Sequence, residues 1–130
     1  MSIAGSATSE GTLRYRERFK DRVAENHLRQ QQKLWLSSIG IGTYLGNADD
    51  ETDARYSAAV SRAVELGANV IDTAANYRFQ RSERAIGKAL AQLTAKGFSR
   101  AEIVICTKAA ICRLTARRRE TCVATLKKHL

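Results

Sequence analysis

The sequence predicts an α/β fold in which short strands alternate with helices around a parallel sheet. Three observations carry this. Apolar runs of strand length fall near Ile39, Val70 and Ile103; two stretches of helical periodicity separate them; and glycines sit where those helices should stop. Alternation of this kind builds βαβ units, whose parallel strands are expected to be four to six residues long and covered on both faces. The chain has 130 residues, 44% hydrophobic and 27% charged, within the range of an ordinary globular domain.

The elements follow in order. Leu13 to Arg29 is charge-dense, with Tyr15, Phe19 and Val23 four apart, and reads as a short amphipathic helix or a mobile extension. From Lys33 to Tyr44, Leu34, Leu36, Ile39 and Ile41 alternate with Gly40, Gly42 and serines, which suggests an extended approach and then a first strand. The Gly40-x-Gly42 pair opens no helix directly, which disfavours a dinucleotide phosphate loop. Asp49, Asp50 and Glu51 suit a helix start, since carboxylates complement the free amides of a first turn. In that helix Tyr56, Ala59, Val60, Ala63 and Val64 form the expected buried face, and Gly67 ends it in the left-handed conformation. Asn69 to Thr73 is the second strand. Ser82 is expected to cap the next helix, with Ala85, Ile86, Ala89, Leu90 and Leu93 buried and Lys96-Gly97 as its end. Ile103 to Ile105 is the third strand.

Composition narrows the function. No apolar run approaches the ~18 residues of a membrane span, and Met1 to Gly11 lacks the pattern of a secretory signal, so a cytoplasmic location and no membrane partner are expected. Cys106, Cys112 and Cys122 form no Cys-x-x-Cys pair and, with only His27 and His129 beside them, predict reduced thiols and no metal site. His27 reads as a surface residue. The net charge of +9 is concentrated toward the end: residues 109–130 hold six Lys or Arg and one Glu. Without a nucleic-acid-binding motif this predicts a solvated surface and no specific nucleic acid.

The chemistry-bearing residues lie at strand ends. Asp72, Tyr77 and Lys108 would converge if the carboxyl ends of the strands form one face, as they do in a parallel barrel. A lysine ammonium beside a tyrosine favours the ionised phenol, and an aspartate would fix the lysine, leaving the tyrosine to act as a general acid. Taken singly, Asp72 equally reads as a turn cap, Tyr77 as a rim aromatic and Lys108 as a solvated strand end.

Ile39-Gly40-Ile41-Gly42-Thr43-Tyr44, Gly67 to Tyr77 with its Asp72-Thr73-Ala74-x-x-Tyr77 core, Ser82 to Leu90, and Ile103 to Lys108 together resemble the aldo-keto reductase family in order and spacing. The resemblance covers residues 34–108. It implies the first three βα units of a (β/α)8 TIM barrel, truncated, and reversible NADPH-dependent reduction of small aldehydes and ketones. By that resemblance Tyr77 falls on the proton donor, Lys108 on the residue that favours its ionisation and Asp72 on the lysine's partner. Gly42, Thr43, Tyr44 and Asp72 fall on the cofactor-binding side, and Ser82 and Glu83 on a structural motif at the second helix.

The pattern stops at Lys108. The resemblance implies a substrate-orienting histidine at a fourth strand, a role that His129, in Lys127-Lys128-His129-Leu130, does not fit. Residues 1–33 then read as an N-terminal extension, 34–108 as a partial barrel and 109–130 as a basic tail. One coding of Ala109 to Thr115, read two bases on, gives Gly-Tyr-Leu-Pro-Phe-Asp, as after Thr-Lys in some family members, so a shifted reading frame is expected after Lys108. Such a fragment is expected to be inactive with NADPH and simple aldehydes, and to self-associate through open sheet edges, a closed barrel taking ~250 residues. The alternative is a non-catalytic protein-interaction module on the same fold.

Overall fold

The computed structural model describes residues 3–108. Three strands, β3 (Gly40–Gly42), β4 (Val70–Asp72) and β5 (Val104–Cys106), form a parallel sheet in chain order. Helix α2 (Asp50–Glu65) joins the first two and α3 (Arg81–Ala95) the last two, so the βαβ expectation holds. Among the described residues the sheet is open and no closed barrel is seen.

Two expectations about the sheet are corrected. The regular strands have three residues each, and beyond them pairing continues as single bonds: Val104 N–H to the Asn69 carbonyl (2.8 Å), Thr73 N–H to that of Cys106 (2.9 Å) and Ala75 N–H to that of Lys108 (3.2 Å). Nor, among the described residues, are the strands covered on both faces. Ile71, aligned with Ile41 and Ile105, faces Val60, Val64, Ile86 and Leu90, whereas Gly40, Gly42 and Cys106 on the other face are exposed.

Helix α2 starts where the acidic run predicts, with Asp49 accepting from Thr52 N–H at 2.8 Å. Its buried face differs from the hydrophobic stripe: Ala59 is exposed, and Asp53, Ser57, Val60, Ser61 and Val64 turn inward. Small hydroxyl residues let α3 approach closely, and Ser61 Oγ is satisfied by Gln92 Oε1 at 3.0 Å. Apolar periodicity cannot register such a seam. Gly67 does end the helix, at φ 107°, and a side chain there would stand 2.8 Å from Val23. In α3 the five predicted core residues are all buried, together with Ser82, and Gly97 follows at φ 84°.

The N-terminal region departs most from expectation. Helix α1 is Ser9–Phe19, shorter than and shifted from Leu13 to Arg29, with Thr8 as its cap. It is not a loose extension: Tyr15 and Phe19 are in the core, and Tyr15 donates from its buried hydroxyl to the Val64 carbonyl at 2.6 Å. Burial pushes that phenol far above its ordinary pKa. The chain then forms an antiparallel hairpin, β1 (Leu28–Gln31) with β2 (Leu34–Ser37), turned by Gln32 (φ 47°) and Lys33 (φ 68°). Two consecutive left-handed residues are what a tight hairpin needs, but Gln-Lys lacks the usual Asn-Gly signature. His27, expected on the surface, is half-buried and bridges Ser38 Oγ (2.8 Å) and the Gly67 carbonyl (3.0 Å). Its environment is polar backbone, which hydropathy does not reveal.

Among the described residues no helix is long and apolar enough to cross a membrane, and no group of three metal-ligating side chains gathers.

Gly11 tests the packing of α1. Replacing a helix-interior glycine by alanine ordinarily stabilises by about 1 kcal/mol. Here a Cβ would lie 2.2 Å from the Ala101 carbonyl oxygen, in the backbone of a 3₁₀ turn (Arg100–Glu102). Thermal unfolding of Gly11→Ala should therefore show a lower Tm than the parent; a rise would mean that α1 does not dock there.

Candidate functional site

The carboxyl ends of β4 and β5 bring together the three residues singled out in the sequence. Asp72 is the last residue of β4, Lys108 lies two residues past β5, and Tyr77 sits in the loop leading to α3. Lys108 Nζ donates to Asp72 Oδ1 at 2.6 Å and to the Thr73 carbonyl at 3.2 Å, and lies 3.5 Å from Tyr77 Oη. The Asp72 hydrogen bond, with a smaller contribution from Tyr77, raises the Lys108 pKa against the cost of burial. The ammonium therefore persists at neutral pH. Both Lys108 and Asp72 are about half exposed, so solvent screens the pair.

Two further contacts fix the surroundings. Tyr44, mostly exposed, meets Tyr77 edge-on with ring centroids 4.9 Å apart. Thr107 Oγ1 donates to Glu83 Oε1 at 2.7 Å, tying the β5 end to α3.

Gly42, Thr43 and Tyr44 divide into two kinds. Gly42 is exposed at the end of β3, with open space where a side chain would stand, and Tyr44 offers an accessible ring beside Tyr77. Thr43 is fully buried. Its hydroxyl lies 3.1 Å from the Asp72 carbonyl and 2.9 Å from Thr73 Oγ1, so its side chain knits β3 to β4 and does not face outward. An exposed strand end, an open aromatic ring and a half-exposed carboxylate fit one side of a site for a flat ring such as nicotinamide.

Ser82 is corrected. The residue preceding α3 is Gln80, at φ 68° and without a side-chain cap, and Ser82 lies inside the first turn. Its buried hydroxyl donates to the Thr43 carbonyl at 2.6 Å. The reason is the loop: Arg78, Phe79 and Gln80 are all left-handed, which starts the helix at Arg81 and turns Ser82 toward β3.

Sequence reasoning missed Asp53, Arg78 and Arg81. Arg78 is buried and ion-paired to Asp53 at 2.6 Å, and Arg81 takes the other Asp53 oxygen at 2.7 Å. Burial raises the Asp53 pKa, but hydrogen bonds from Arg81 and Arg78 outweigh it and hold the carboxyl below its ordinary value. The available signal was a charged residue in a helix's inward register, which reads as solvated unless its partner is known. Residues 109–130, with His129 and the basic tail, lie outside the described residues.

The Ser82 bond separates its two readings. Ser82→Asp would preserve a capping acceptor but has no proton to give a carbonyl. We expect it to destabilise at least as much as Ser82→Ala, by about 1–3 kcal/mol for a buried acceptor left unpaired. Chemical denaturation measures this, and full stability in Ser82→Asp would restore the capping role.

Comparison with known proteins places this geometry in context. The sequence model of the Aldo/keto reductase family matches residues 38–130, running past Lys108 where the motif resemblance ends. An "Aldo-keto reductase" of Mycobacterium ulcerans (strain Agy99) is 44% identical over 90 residues, covering 68% of this chain and 28% of that protein. One of Mycobacterium marinum (strain ATCC BAA-535 / M) is 43% identical over the same shares, and one of Mycolicibacterium paratuberculosis (strain ATCC BAA-968 / K-10) is 46% identical over 63 residues, 48% of this chain and 19% of that protein. The matched stretch thus spans less than a third of each relative.

Proposed function

This chain belongs to the aldo/keto reductase family, and we propose that it carries the proton-donating half of an NADPH-dependent carbonyl reductase. The observation that carries this reading is a single ammonium, Lys108 Nζ, held between the Asp72 carboxylate and the Tyr77 phenol. Gly42, Tyr44 and Asp72 are the residues that would lie against the nicotinamide. When bound, NADPH supplies the hydride to the carbonyl carbon of a small aldehyde or ketone.

The chain's own groups handle the proton. Tyr77 Oη donates it to the carbonyl oxygen as negative charge develops there, leaving a phenolate. The Lys108 ammonium stabilises that phenolate by direct charge attraction. Asp72 and the Thr73 carbonyl hold the ammonium in place, since a lysine stem alone is flexible. Partial exposure of Tyr77 lets solvent return the proton. Reversal of these steps gives alcohol oxidation.

The test places this chain's residues 38–108 into the M. ulcerans relative in place of the residues that align with them. Carbonyl-dependent NADPH oxidation by the chimera is expected to fall about 10²–10⁴-fold in Tyr77→Phe, the usual worth of a general acid. Equal turnover by the Phe variant would remove Tyr77 from the chemistry. A second reading, a non-catalytic interaction module, draws support from the exposed Leu45 and Phe79 beside the site. It would be the better account if the chimera were folded but inert with all three residues intact.

A further inference from the structure

We propose that Arg78 is a positioning residue that aims Tyr77 at Lys108 by clamping the β4–α3 loop onto the start of α2. The inference rests on the reading of Tyr77 as proton donor, because only a reacting hydroxyl needs such placement.

The backbone after Tyr77 is strained. Arg78 (φ 50°), Phe79 (φ 57°) and Gln80 (φ 68°) are three consecutive left-handed residues, none of them glycine. Each costs roughly 1–2 kcal/mol relative to the right-handed form. A loop in this state persists only where its surroundings over-determine it, and such strain collects at functional sites. Phe79 contributes little of that restraint, being 83% exposed.

Arg78 supplies it. Its side chain is 2% exposed, directly follows Tyr77 and reaches across to three residues of the stretch from Asn47 to Asp53. Nε donates to the Asn47 carbonyl at 2.8 Å; Nη2 donates to the Asp49 carbonyl at 3.3 Å and to Asp53 Oδ1 at 2.6 Å. Arg81 engages Asp53 Oδ2 and also Asp50, so the carboxylate is fixed from both sides. The guanidinium lies 5.1 Å from the Tyr56 ring centroid, and Tyr56 in turn donates to the Leu45 carbonyl at 2.7 Å. The clamp therefore joins the loop that carries Tyr77 to the loop that carries Tyr44, and these two rings pack edge-on. A planar fork that reaches two carbonyls and a carboxylate is specific to arginine; a lysine keeps the charge but not the fork.

The turn alone would not require an arginine. A glycine at position 78 would relieve the backbone, so a residue present only for the turn would be improved by Arg78→Gly.

The experiment uses the whole 130-residue chain with ring-labelled tyrosine and NMR. Tyr15, remote in the core, reports folding; Tyr77 and Tyr44 report the loop. Arg78→Gly and Asp53→Asn are each expected to shift the Tyr77 resonances and abolish the Tyr44–Tyr77 cross-peak while leaving Tyr15 unmoved, and Arg78→Lys to shift the Tyr77 resonances and weaken the cross-peak. Arg78→Lys should fall between the parent and Arg78→Gly, and it decides the question if the other two also displace Tyr15. Tyr77 resonances matching the parent in Arg78→Lys, or in another variant with Tyr15 unmoved, would overturn the proposal, as would loss of the Tyr15 signal in all three. Turnover plays no part in the readout, so an inert Tyr77→Phe effect in the chimera would overturn the proton-donor reading while this result stood by itself.

Discussion

Asn69 is completely buried, and every part of it is bonded. Its amide oxygen accepts from Ser37 N–H (3.0 Å), its backbone N–H donates to Ser37 Oγ (3.0 Å), and its amide nitrogen donates to the carbonyls of Trp35 (2.9 Å) and Glu102 (3.2 Å). Its own carbonyl accepts from Val104 N–H. One residue at the base of β4 thus fixes the hairpin, the turn before β5 and the first pairing of β5 itself. A buried amide left half-satisfied costs about 1–3 kcal/mol per orphaned group, so alternatives in register are disfavoured together. In strands of only three residues, with few ladder bonds of their own, this anchoring sets the alignment.

The site at the opposite end of the sheet follows from that alignment. Three residues up from Asn69, Asp72 stands opposite Cys106, and the bonds Thr73 to Cys106 and Ala75 to Lys108 carry the pairing on until the lysine reaches the carboxylate. A slip by one residue would turn Asp72 into the α2–α3 core and Ile71 onto the open face. Thr43 and Ser82 complete the arrangement: a hydroxyl and a carbonyl at the end of β3 bond to β4 and α3, so the three elements meet at fixed height. The chemistry-bearing side chains are exposed, while the residues that align them are buried.

That division explains what could be read from the sequence. The α3 stripe from Ala85 to Leu93, the stop at Gly67 and the strand-end placement of Asp72 and Lys108 follow from local periodicity and backbone rules, and all were legible. The hairpin was not, because Gln32 and Lys33 adopt left-handed geometry without the residues that favour it. The α2 seam was displaced because Ser57 and Ser61 are buried and Ala59 is not, and Ser61 bonds to Gln92 of α3. Ser82 misled because a serine before an apolar stripe has the pattern of a cap, whereas its bond is to a carbonyl 39 residues earlier. The Arg78–Asp53 pair, 25 residues apart, was hidden for the same reason: burial of a charge depends on a partner that sequence proximity does not supply.

The most direct test of the account is a titration of the Lys108 amine in the whole chain by nitrogen-labelled lysine NMR, with Lys108→Arg identifying the signal. A lysine held between Asp72 and Tyr77 should remain charged above the ordinary lysine value of about 10.4. Its pKa should drop toward that value in Asp72→Asn, and by less in Tyr77→Phe, in keeping with the larger contribution of the Asp72 bond. A Lys108 that titrates as an ordinary lysine and responds to neither substitution would show that the strand register does not assemble this site.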